Sequence, residues 1–260
     1  RSEIQSWENS LQYMDRVLED IHIPEDIGVA IEYHIPRSQK RIDFIITGAD
    51  RIGANAAILI ELKQWQEAAL TEKDAIVRTF FKGGEREVEH PSYQVWTYKR
   101  LLEDYNEAIA DEKIQVSACA YLHNYSPDSV IRNDFYAEHL ARAPVFLQPE
   151  AEKLRLFIRE HVKYGDKNKL MYQIDHGKIA PSKNLADELE SMLAGSESFV
   201  MVDDQKLVYE TAVQLASKAQ DGVKTVLIVS GGPGTGKSVV AVSLLVRFTS
   251  DRYVAQYVTR

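Results

Sequence analysis

Three side chains, Asp43, Glu61 and Lys63, have the types and spacing of a site that could hold a divalent metal and an attacking water. Glu61-Leu62-Lys63 ends an apolar run over residues 56–62, too short for a helix and suited to a buried strand. On a strand Glu61 and Lys63 share one face and Leu62 takes the other. An acid and an amine on a buried strand are costly unless they are paired or perform chemistry. Asp43 interrupts a second apolar run over residues 42–46, on what reads as the neighbouring strand. Two carboxylates on adjacent strands can share one Mg²⁺ (or Mn²⁺), an ion that favours oxygen ligands. A metal so placed acidifies a bound water and stabilises charge on a phosphate, and the lysine orients that water or neutralises the developing charge.

A second constellation lies near the end of the chain. Gly231-Gly232-Pro233-Gly234-Thr235-Gly236-Lys237-Ser238 fits G-x-x-x-x-G-K-[ST], between an apolar run over 223–230 and a helical pattern over 239–248. Gly231, Gly232, Gly234, Thr235 and Gly236 let backbone N–H groups converge on phosphate oxygens at a helix N-terminus. Lys237 reaches the β and γ phosphates and the Ser238 hydroxyl binds Mg²⁺, so the expected cofactor is ATP. Gln205, 26 residues before Gly231, offers a donor and an acceptor together, which suits an adenine edge.

The elements that must position these groups can be read in order. Residues 2–20 predict an amphipathic helix with Ile4, Trp7, Leu11, Met14, Leu18 and Ile21 on one face. Strands are expected over 29–35, 41–47 and 56–62, joined as a meander. Residues 76–81 and 85–89 flank Lys82-Gly83-Gly84, a hairpin signal. Pro91 opens a helix running to about residue 106, followed by a strand over 114–122 and a helix over 154–162. The fold class is α+β, with a first domain over 1–162, a turn-rich linker with a short helix (185–193) over 163–198, and the start of an α/β phosphate-loop domain over 199–260. In that last stretch strands are expected at 223–230 and 253–258. The chain stops one helix and one strand past the loop, so this domain reads as a truncated start, and the missing initiator Met suggests a chain that begins inside a longer protein.

Composition bounds the partners. The 260 residues are 45% hydrophobic and 27% charged, ordinary for a globular protein. There is no apolar run long enough for a transmembrane helix and no signal-peptide core, so no membrane is expected. One cysteine, Cys119, excludes an internal disulfide and fits a cytoplasmic location. Of the net charge of −8, residues 1–160 carry 28 acidic against 19 basic side chains, which argues against broad non-specific nucleic-acid binding.

Gln94 and Tyr98 stand at i and i+4, on one face of the helix after the third strand. With D-(x)17-E-x-K ahead of them, this Q-x-x-x-Y resembles the RecB-like branch of the PD-(D/E)XK nuclease superfamily, whose restriction-endonuclease-like core runs αβββαβ. The resemblance implies that the Leu62 carbonyl joins Asp43 and Glu61 as a metal ligand, that Gln94 and Tyr98 support the site, and that a first-helix acid completes it. Glu3 is the choice there, with Glu8 in the same helix. Glu32 and His34 share one parity on the first strand, His34 and His90 read as structural rather than as ligands, and Arg78, Lys82 and Arg86 read as groups that could grip a backbone. Asp204-Gln205 resembles the adenine-reading glutamine of superfamily 1 and 2 helicases, whose motor domains are RecA-like. The whole layout is similar to a bacterial family in which such a nuclease precedes a superfamily 1 helicase, related to the ATPase region of Schlafen proteins. Phrases such as Lys40-Arg41-Ile42-Asp43-Phe44, Ile60-Glu61-Leu62-Lys63-Gln64-Trp65 and Pro181-Ser182-Lys183 carry it. It implies cleavage of DNA, with RNA as the open alternative, in phage defence. Two other readings stay open: a non-cutting nucleic-acid or partner-binding module, and a phosphate-loop signalling ATPase with an unrelated sensor domain.

Overall fold

The computed structural model describes residues 2–35, 38, 40–81, 83–126, 129–179, 200–219 and 224–258, with side chains from Ser10 onward. Helix α1 (Ser2–Leu18) leads into three antiparallel strands, β1 (Gly28–His34), β2 (Arg41–Ala49) and β3 (Asn55–Lys63). A small separate sheet follows, β4 (Ala68–Leu70), β5 (Ile76–Phe81) and β6 (Gly84–Glu89). Helices α2 (Pro91–Tyr105) and α3 (Glu107–Asp111) return the chain to β7 (Gln115–Leu122), parallel to β3. Then come α4 (Ala137–Arg142), β8 (Val145–Leu147), α5 (Ala151–His161) and α6 (Leu170–His176). Beyond residue 199 lie α7 (Asp204–Ala219) and α8 (Lys237–Ser250). The main sheet is mixed, in the order β1-β2-β3-β7-β8, and the fold is α+β.

The central strands are apolar on both faces because both faces are covered. Ile45, Ala57 and Leu59 pack under Val95, Tyr98 and Leu102 of α2. Phe44, Ile46, Ile58 and Ile60 face the other way, onto Met14 and Val17 of α1 and Leu154 and Ile158 of α5. Each such fully buried aliphatic contributes about 1.5–3 kcal/mol, which lets the same strands carry buried charge at their ends. His90 caps α2, its Nδ1 accepting from the Ser92 N–H at 3.2 Å, and Pro91 occupies the first turn, where its missing donor does no harm.

Several expectations are corrected. Helix α1 ends at Leu18, and Ile21 beyond it is fully exposed rather than part of the apolar stripe. Helix α5 starts at Ala151, three residues early. Residues 163–179 are packed on the core instead of forming a loose linker. The Ala49 N–H donates to Tyr164 O at 2.9 Å, Thr47 Oγ1 donates to Asp166 Oδ2 at 2.8 Å, and Leu170 and Ile174 of α6 are buried. The short helix expected over 185–193 and the Pro181-Ser182-Lys183 phrase lie outside the described residues. The strands expected over 223–230 and 253–258 are not formed among the described residues: 224–230 and 253–258 have no ladder partner, and Val226, Ile228 and Val254 are exposed. An apolar run becomes a strand only when a neighbour takes its N–H and C=O groups. No helix among the described residues is long and apolar enough to cross a membrane.

Candidate functional site

The β2–β3 ladder is paired from Ala49–Asn55 up to Phe44–Ile60, and Asp43 and Glu61 stand one step beyond its end. There the Leu62 N–H donates to Asp43 Oδ2 at 2.8 Å instead of to a strand carbonyl. On its other side β3 stays paired with β7 through Lys63–Leu122, which fixes the strand while its β2 edge opens. Glu61 and Lys63 therefore emerge together, and Lys63 Nζ donates to Glu61 Oε1 at 2.7 Å. Glu61 is 3% exposed, and its Oε2 is buried without a partner.

Helix α2 lies over this face. Gln94 Nε2 donates to the Tyr98 hydroxyl at 2.9 Å, and that hydroxyl donates to Asp203 Oδ1 at 3.3 Å. Asp203 also pairs with the Lys40 ammonium. Glu89, the last residue of β6, is buried beside Asp203, and neither of its oxygens has a hydrogen-bond partner. Leu62, Lys63, Gln94, Glu89 and Asp203 line a cleft of about 800 Å³ together with Trp65, Phe80 and Phe81. Asp43 and Glu61 sit beneath this cleft rather than on its wall.

The electrostatics are those of crowded acids. Burial, followed by the Asp43 charge, pushes the Glu61 carboxyl up to about 8, against the opposing pull of Lys63. Burial raises Asp43 too, although Lys63 and the Leu62 N–H draw it down. Glu89 is raised well above the carboxylate range by burial and then by Asp203; a proton between these two acids would turn their repulsion into a hydrogen bond. Burial alone would lower Lys63, but Glu61, Asp43 and Asp203 outweigh it and hold the ammonium charged. Four carboxylates (Asp43, Glu61, Glu89, Asp203) face two ammonium groups (Lys40, Lys63), so full ionisation leaves two negative charges in excess.

These residues fit a hard divalent cation. The donors are carboxylate oxygens, with the Leu62 carbonyl next along the strand, and the unpartnered Glu61 Oε2 is a free ligand position. No group of three His, Cys, Asp or Glu side chains converges among the described residues.

At the phosphate loop, α8 begins at Lys237 after Gly236, whose φ of +80°, like the +74° of Gly234, is a left-handed conformation that glycine adopts without strain. Lys237 Nζ folds back onto the loop, donating to Gly231 O at 2.8 Å and Gly232 O at 2.5 Å. Gln205 Nε2 donates to Thr235 O at 3.1 Å, so this glutamine touches the loop itself. Ser238 is exposed in the first turn of α8.

The remaining candidates are scattered. The Glu3 side chain lies outside the described residues, as do Glu8 and Lys82. Glu32 pairs with Arg41 at 2.5 Å and has a φ of +54°; His34 is exposed. His90 Nε2 bonds Ile131 O at 2.9 Å, and burial lowers its pKa to about 4, as befits a structural cap. Arg78 lies within 4.0 Å of Glu85 and Glu87, and Arg86 stands over Phe81, so the hairpin cations already have partners. Sequence reasoning missed Glu89, Asp203 and Lys40. Glu89 carries a faint signal, an acid at strand parity directly before a capped helix; the other two carry none.

Residues 224–260 match the family model of the Schlafen group 3 DNA/RNA helicase domain. No curated protein and no solved structure matches the chain. The family match supports a Schlafen-like helicase relationship, and with it a nucleic-acid-related role, for the stretch that holds the phosphate loop.

Proposed function

We propose that the protein is a Mg²⁺-dependent nuclease of the PD-(D/E)XK type, hydrolysing phosphodiester bonds in DNA, and that its phosphate-loop stretch belongs to an ATP-driven helicase or translocase. The observation that carries the reading is the joint emergence of Asp43, Glu61 and Lys63 on one sheet face under Gln94 and Tyr98, with Glu61 Oε2 left unpartnered. The order α1, β1–β3, α2, β7 around a mixed sheet supports the same fold type. Asp43, Glu61 and the Leu62 carbonyl would hold the ion, which supplies an acidified water and charge stabilisation at the phosphate. Lys63 already donates to Glu61 and stands on the cleft wall, where it can orient a water or meet negative charge on the phosphate. Gln94 fixes the Tyr98 hydroxyl from the helix above. The helicase match over 224–260 supports nucleic acid as the partner, and the phosphate loop supports ATP as the second cofactor.

A second reading is a non-cutting module that binds a partner protein, and one observation bears on it. Among the described residues the cleft wall carries Glu67, Glu87, Glu89, Asp203 and Asp204 against one cation, Lys63, a lining that suits a basic partner surface. The test is incubation with single- and double-stranded DNA and RNA in Mg²⁺, Mn²⁺ or EDTA. Metal-dependent cleavage of DNA supports the nuclease; no cleavage with either metal supports the module.

A further inference from the structure

We propose that the Asp203 carboxylate occupies an anion subsite of the cleft, formed by Lys40 and Tyr98 and suited to a nucleic-acid phosphate, and is withdrawn when the phosphate loop binds a nucleoside triphosphate. The proposal rests on reading residues 231–238 as a nucleotide site. Two donors, the Lys40 ammonium and the Tyr98 hydroxyl, converge on Asp203. An ammonium and a hydroxyl aimed at one anion are what a backbone phosphate requires. Glu89 stands beside the same spot, so two acids crowd the position that the two donors serve.

Asp203 reaches the cleft in a left-handed backbone conformation, with φ of +50°, which costs a non-glycine residue about 1–3 kcal/mol and persists only where contacts enforce it. The contacts on one side come from α2 and from Lys40 beside β2: Tyr93 OH donates to Met201 O at 2.9 Å, and Tyr98 and Lys40 hold Asp203. On the other side they belong to the phosphate loop. The Val202 N–H donates to Gln205 Oε1 at 3.2 Å, and Gln205 Nε2 donates to Thr235 O at 3.1 Å. The Gln205 amide also lies 2.3 Å from where a Cβ on Gly236 would stand, so loop and glutamine are in close contact.

Lys237 donates to Gly231 O and Gly232 O. A triphosphate draws that ammonium and the loop N–H groups onto its own oxygens. Thr235 and Gly236 then reorient, Gln205 loses its acceptor, and the strained turn at Asp203 loses one of its two anchors. Withdrawal of Asp203 frees Lys40 and Tyr98 and removes a negative charge from beside Glu89.

Affinity for a short single-stranded oligodeoxynucleotide is measured with EDTA present, for the full chain and for Asp203→Ala and Asp203→Asn. Hydrogen exchange over 201–205 is measured with and without ATPγS and Mg²⁺. The expected result is an affinity gain of about 3- to 10-fold in both variants, the size of one charged hydrogen bond recovered, and faster exchange over 201–205 on nucleotide binding. Unchanged or undetectable oligonucleotide affinity in both variants overturns the anion subsite. Nucleotide binding with unchanged exchange overturns the coupling and leaves the loop assignment standing. Failure to bind nucleotide overturns the loop assignment and the coupling together.

Discussion

Lys63 Nζ lies 2.7 Å from Glu61 Oε1, while Glu61 Oε2, equally buried, has no partner. The two oxygens of one carboxylate thus have different employment: one holds the lysine in register, and the other is free for a cation. Without such a cation the excess charge of the cluster is relieved by protons, and this gives the site a distinctive pH behaviour.

Stability without metal should fall as pH rises. The Glu61 carboxyl is held near 8 in the folded protein against 4.5 for an ordinary glutamate. Between these values the folded state keeps a proton that the unfolded chain has lost, so each pH unit removes up to about 1.4 kcal/mol from this group. Urea titrations at pH 5, 6, 7 and 8 in EDTA should show a declining midpoint, and Glu61→Gln should flatten the decline. A midpoint that rises over this range contradicts the buried-acid account.

Metal binding should release protons. Glu61 and Glu89 both carry raised carboxyls, so Mn²⁺ entering at pH 7 displaces about one proton from the site, or two if Glu89 is also discharged. Calorimetry in buffers of different ionisation enthalpy measures this number directly. Binding with no proton exchange would place the ion away from the cluster.

Tyr98→Phe keeps the ring in the core beneath α2 and removes one hydroxyl. The loss of its bonds to Gln94 and Asp203 should cost about 1 kcal/mol, seen as a modest fall in thermal midpoint. A much larger loss would mean that the hydroxyl holds the fold together instead of arranging the site.

Lys206 of α7 is buried between Asp74, 2.8 Å away, and Glu210, also at 2.8 Å, with the Tyr93 ring nearby. It docks α7 onto the small sheet and α2. Lys206→Met should destabilise by about 2 kcal/mol, below the usual cost of breaking a buried pair because Asp74 is half-exposed. It should also raise proteolytic sensitivity around residues 200–206. Unchanged sensitivity there would mean that α7 is held by other contacts.

The central acids were legible because charges interrupt otherwise apolar strands. Asp43 and Glu61 stand out in runs such as Ile42–Ile46 and Ile58–Leu62, where every neighbour is buried or nearly so. Gln94 and Tyr98 were legible from helical spacing. Glu89 was not, because Glu85, Glu87 and Glu89 share one strand parity and only the docking of residues 201–207 decides which is buried. Lys40 and Asp203 meet across 163 positions of sequence, and no local pattern records such a pairing. The run over 223–230 misled for the opposite reason. Its composition specifies a strand, but pairing is a property of two segments, and none of the described residues supplies the second.

The most direct measurement is the single-turnover rate of DNA cleavage in saturating Mn²⁺ by the wild type, Lys63→Ala and Glu61→Gln. Loss of a metal ligand or of the lysine that meets developing charge should each slow the reaction by about 100-fold or more, with both variants folded by circular dichroism. Cleavage at the wild-type rate by both variants would contradict the assignment of the chemistry to this strand.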